Sequence, residues 1–147
     1  ETGEGIRRMI LAAIRALLLS NGTIVARVGQ RVAVNRRPQG DALPAITLGH
    51  TGGAGRDHAH RGRTGLTAAR VQVDIWAVDG SESGPAQVAE LELAVVQTLA
   101  GYRGTAAGIA IGGIFAEGTR DLTEEQQGHA PVIDRRSIDF TVHYQEE

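Results

Sequence analysis

The sequence predicts an α+β fold: a mostly antiparallel sheet with two helices packed on it, in the order α-β-β-β-α-β-β. Three observations lead there. Two segments repeat apolar residues at helical spacing, at least three alternate at strand spacing, and the strand-like runs come in blocks instead of strict β-α-β alternation. The chain has 147 residues and a mass of 15.5 kDa, which fits one domain over 1–147. Hydrophobic residues make up 41% and aromatics 3%, so the core is aliphatic and a disordered chain is excluded.

The first helix is read over Ile6–Leu19, where Ile6, Ile10, Ala13, Ile14, Leu17 and Leu18 share one face. Ser20-Asn21-Gly22 stops it, since Asn and Gly tolerate the left-handed C-terminal position. A short strand follows over Arg31–Asn35, and Pro44 leads into a second over Ala45–Gly49. Residues 51–65 carry many glycines, three arginines and no large apolar residue before the strand resumes, which reads as an exposed, mobile loop. In the third strand, Ala69–Val78, Val71, Val73, Ile75 and Ala77 alternate with Arg70, Gln72, Asp74 and Trp76.

Pro85 suits the first position of a second helix that runs to about Ala100 and stops at Gly101. Its main stripe is Val88, Leu91, Val95 and Leu99, widened by Ala89, Leu93, Val96 and Ala100. So broad an apolar face predicts cover on more than one side, by the sheet and by a neighbouring subunit. Ile109–Ala116 reads as the fourth strand and Arg136–Tyr144 as the last, with Glu117–Pro131 a polar loop between them. There is no internal repeat.

Composition excludes several classes of function. Cysteine is absent, so there is no disulfide framework, thiol nucleophile or cysteine-ligated zinc. No apolar run reaches the length of a membrane span and no secretory signal is read at the start, which predicts a soluble, cytoplasmic protein without a membrane partner. The net charge is −2, and all 15 basic residues are arginine. That is no whole-chain footprint for nucleic acid. A GC-rich coding sequence accounts for the arginine bias, and an arginine-laced interface is compatible with it.

The search for chemistry finds no enzyme site. There is no Gly-x-Ser-x-Gly elbow, and the glycine-rich stretch Gly101–Gly113 lacks the Gly-Lys-Ser/Thr of a phosphate loop. Asp57, His58 and His60 are the one metal-like cluster, with His58 and His60 on the same side of an extended segment. No further ligand is fixed beside them, so a small metal-dependent enzyme stays an alternative and no cofactor is expected. Glu124 and Glu125, in a polar loop, read as solvated charge. The basic stretch 52–70 holds Arg56, Arg61, Arg63 and Arg70 against Asp57 alone. It reads as a solvated loop, a segment that orders against another protein, or a nucleic-acid contact, the last weakened by missing aromatics.

Several motifs resemble, in order, those of the tail-completion family of long-tailed phages and gene-transfer particles. They are Arg37-Pro38-Gln39-Gly40, Leu43-Pro44-Ala45-Ile46 and the run Gly65-Leu66-Thr67-Ala68-Ala69-Arg70-Val71-Gln72-Val73-Asp74-Ile75-Trp76-Ala77. Tyr102-Arg103-Gly104, Arg120-Asp121-Leu122 and Ser137-Ile138-Asp139-Phe140 with Tyr144 continue the series, so the resemblance covers roughly residues 6–145. It implies a virion protein of the neck: a tail terminator forming a six-membered ring on the tail tube, stopping tube polymerisation and joining the tail to head-completion proteins. Its partners are then its own copies, the tube protein and a head-completion or stopper protein, with DNA passing through the ring without specific binding. A stopper is the nearest alternative, one ring away. The family offers no catalytic residues to carry over. The histidine- and arginine-rich stretch 55–63 departs from the family pattern. The expected subunit or ring contacts are Arg56, Asp57, His58, His60, Arg61 and Arg63 against Asp121, Glu124 and Glu125 of a neighbour.

Overall fold

The computed structural model describes residues 3–35, 43–50, 55–59, 62–79, 84–122 and 132–145. Helix α1 spans Gly3–Leu19 and buries Ile10, Ala13, Ile14 and Leu18, the face given by its periodicity. It stops where expected, but for a different reason. Asn21 is extended (φ −91°, ψ 120°) and its Oδ1 accepts from the N–H groups of Thr23 and Ile24, so it N-caps a further helix, α2, Gly22–Val28. The amide of Asn21 also donates to Thr98 Oγ1 at 2.7 Å, fixing the α1–α2 corner to the next long helix. The expectation of two helices is thus corrected to three among the described residues. Helix α2 buries only Ile24 and Val28, one helical turn apart, and closes at Gly29 (φ 59°).

Strand β1 (Val32–Val34) pairs in parallel with β2 (Ala45–His50). Strand β3 (Gly55–Ala59) and the 18-residue β4 (Gly62–Asp79) are antiparallel partners. The second long helix, α3 (Gly84–Leu99), is followed by Gly101, whose φ of 81° suits a glycine. Strands β5 (Gly104–Ala106) and β6 (Ile109–Asp121) form a hairpin through Ala107 and Gly108, both at positive φ, as a two-residue primed turn requires. Strand β7 (Val132–Gln145) completes the sheet.

The strand order is β1-β2-β4-β7-β6-β5, with β3 beside β4, and every ladder except β1–β2 is antiparallel among the described residues. The sheet is mixed and curled. Helix α1 touches β1 and β2 from one end of the strand order and β5 and β6 from the other, while α3 lies over β4, β7 and β6. The core fills the curl: Ile14 and Leu18, Leu91 and Leu99, Val73 and Ile75, Ile138 and Phe140 are all essentially inaccessible. Each such side chain contributes about 1.5–3 kcal/mol by leaving water.

Candidate functional site

The stretch expected to be a mobile loop is largely strand. Strand β2 pairs with β4 only over residues 71–76, and β7 pairs with it over 66–79. Beyond Leu66, β4 continues to Gly62 and returns as β3, with His58 opposite Arg63 and Ala59 opposite Gly62. Four residues beyond the end of β7, at about 3.3 Å each, make an arm of roughly 13 Å. Backbone pairing builds it and needs no apolar alternation, which is why composition suggested a loop. Arg56, Asp57 and His58 lie on β3 and Arg63 on β4, whereas His60 and Arg61 fall outside the described residues.

Of the acidic residues, Asp121 lies at the other end of the sheet. The polar loop expected from Glu117 is corrected in its first part, since β6 runs on to Asp121. Asp121 pairs in register with Arg136, with 3.9 Å between Oδ2 and Nη2. Glu124 and Glu125 fall outside the described residues. The hairpin leaves the sheet where Leu66 faces Gln145, nine positions along β7 from Arg136. At about 3.4 Å per residue the basic arm and the acidic end stand roughly 30 Å apart. Among the described residues, one copy does not bring the basic and acidic positions together.

Between those ends, the sheet face turned away from the core is polar. Asp74 is buried there, 6% exposed, and accepts from Arg135 Nη2 at 2.7 Å and from Gln72 Nε2 at 2.8 Å. The Arg135 guanidinium lies 4.5 Å from the centroid of the Trp76 ring, whose Nε1 donates to Thr47 Oγ1 at 3.0 Å. One strand further, Arg120 reaches Asp139 at 3.6 Å and Gln72 Oε1 at 3.4 Å. A shallow depression of about 440 Å³ opens here between Arg70, Gln72, Glu117, Arg120, Asp139 and Thr141. Its two arginines and two carboxylates balance, and Arg120 pairs with Asp139 across strands, so the face presents polarity without a net charged patch. Sequence reading placed Asp74 on this face but could not supply its partner Arg135, 61 residues away.

A second, more apolar groove of about 760 Å³ lies where α1 passes the end of β2, lined by Arg7, Arg8, Met9, Leu11, Val34 and His50 among others. His50 Nε2 is buried without a hydrogen-bond partner among the described residues, and burial, reinforced by Arg7, pushes its pKa below 6.5. Arg15 Nε donates to Val32 O at 2.8 Å, covering the open edge of β1. No group of three or more metal-ligating side chains stands together among the described residues. No single helix among them is long and apolar enough to cross a membrane.

Comparison with protein families gives a match to Tail completion protein gp17 over residues 12–143. The chain belongs to this tail-completion family. Membership makes the protein a structural component of the virion tail, as its ordered motifs implied. Among solved structures it is similar to a chain from the virion of a native gene transfer agent particle, with a TM-score of 0.70. The identity is 15%, with 92% of this chain and 94% of that one covered, so the likeness is one of fold. No curated protein matches the sequence.

Proposed function

We propose that this tail-completion protein is a tail terminator: six copies close as a ring on the end of the tail tube and stop its polymerisation. The other face of the ring receives the head-completion protein of the neck. The observation that carries this reading is the separation of the basic arm from the acidic end of β6 across one sheet. Complementary charges that cannot meet within a copy can meet between copies, and a contact between two different surfaces closes into a ring when the rotation fits. In this reading Arg56, Arg61 and Arg63, with Asp57, His58 and His60 beside them, meet Asp121, Glu124 and Glu125 of a neighbour.

The role is structural and non-catalytic, and the chain acts as one unit. DNA crosses the ring without specific binding. A net charge of −2 and a sheet face on which Arg120 and Arg135 are paired with carboxylates both suit that passage, because retention scales with the phosphates neutralised.

The test is charge reversal. Arg61→Glu with Arg63→Glu should leave the unfolding midpoint of the isolated protein unchanged and reduce its incorporation into particles at least tenfold. Restoration by the opposite reversal of Glu124 and Glu125 would establish the pairing. Incorporation at the normal level would overturn it.

A further inference from the structure

The long helices α1 and α3 turn unusual faces to solvent. At about 100° per residue, the outward arc of α1 holds Arg8, Met9, Ala12 and Ala16, all exposed, with Met9 at 46%. The outward arc of α3 holds Ala86, Ala89, Leu93 and Gln97, with Leu93 at 59%. Its opposite arc, Val88, Leu91, Val95 and Leu99, is buried against the sheet. Helix α3 therefore carries a second apolar stripe, centred on Leu93, besides the one packed on the sheet.

The charges beside the two stripes are opposite in sign. Helix α1 places Arg8 and Arg15 along one flank of its stripe, and the only charged residues of α3 are Glu90 and Glu92, one on each flank of Leu93. Arg27 holds Glu90 at 2.7 Å and Arg136 holds Glu92, both pairs within the chain and solvent-accessible. A carboxylate has two oxygens and accepts a second guanidinium.

We infer that the outward stripe of α3 docks on the outward stripe of α1 in the next copy of this chain. Leu93 fills the space over Ala12 and Ala16, where short side chains let the helices approach. Met9 covers Ala89, and Arg8 and Arg15, on one flank, come beside the glutamate on the flank that faces them. The surfaces differ, so the contact is head-to-tail and propagates around a ring instead of stopping at a dimer. The inference rests on the ring reading above and adds the apolar contact between its subunits.

The chain lacks cysteine, so pairs of introduced thiols give an unambiguous test. A strain lacking the wild-type copy would be complemented with Ala16→Cys/Leu93→Cys, and purified particles treated with a short bis-maleimide. The expected result is a ladder of this chain ending at the closed ring, with neither single variant giving a dimer. Particles that contain the double variant but give no ladder would overturn the helix pairing and leave the ring reading standing. A dimer from Ala16→Cys or Leu93→Cys alone, or cross-linking of Leu93→Cys to another virion protein, would also overturn the pairing. Absence of the wild-type chain from particles would overturn the ring reading and the inference with it. As a second variant, Leu93→Asp should keep the wild-type unfolding midpoint and lose incorporation at least tenfold; unchanged incorporation would refute the pairing.

Discussion

Replacing Asp74 by alanine removes the carboxylate at the centre of the polar sheet face. Its side chain is 8% exposed, and it loses a charged hydrogen bond from Arg135 at 2.7 Å and those from Gln72 at 2.8 and 3.1 Å. Breaking a fully buried ion pair costs about 3–5 kcal/mol, mostly for the charge left behind. Here the Arg135 side chain is 27% exposed and stays stacked on Trp76, so part of its hydration returns. A net loss of about 2–3 kcal/mol follows, in line with about 1.5–3 kcal/mol for a hydrogen bond to a charged group. For 147 residues that corresponds to a melting point lower by about 5–10 °C, at roughly 2–4 °C per kcal/mol. The assay is urea denaturation of wild type, Asp74→Ala, Arg135→Met and the double variant at constant m-value. A coupling of about 1–2 kcal/mol is expected between the two sites. A single-variant loss below about 0.5 kcal/mol, the value of a surface pair, would refute the reasoning.

Three further outcomes follow from the same geometry. Asn21→Ala removes the α2 cap and the bond to Thr98, and denaturation should show a loss of about 1–2 kcal/mol; no change would mean α2 is held by packing alone. His50 titrates below 6.5 in the folded chain, so its contribution to stability is full above 6.5 and is lost as pH falls through the folded value. Unfolding free energy should therefore drop more steeply below pH 6.5 in wild type than in His50→Gln, and matching profiles would contradict the assignment. Phe140→Ala empties the bulkiest core position and should cost about 3–5 kcal/mol by denaturation; a loss under 1 kcal/mol would mean the curl collapses around the gap.

The elements readable from sequence are those whose periodicity comes from burial on one side. The α1 face through Ile10, Ile14 and Leu18 and the alternation of Val71, Val73 and Ile75 are direct imprints of the core. Helix α2 escaped because seven residues with two buried positions contain no period. Strand β3 escaped because an arm held by backbone pairing carries no apolar imprint, and β5 because three residues are too few. The parallel pairing of β1 with β2 depends on a connection whose path composition does not specify. For the candidate site, composition singled out one basic and one acidic segment. The placement of β3 and Asp121 at opposite ends of one sheet depends on the β4–β7–β6 register, and so does the meeting of Asp74 with Arg135. The breadth of the α3 stripe was visible in the sequence, and the structure shows which half the sheet leaves uncovered.

The measurement that tests the central claim most directly is negative-stain microscopy of particles made after deleting this reading frame. Tail termination predicts DNA-filled heads beside separate, overlong tails. Heads emptied of DNA beside tails of normal length would contradict it and move the protein to the head side of the neck, and intact particles would contradict any role in joining.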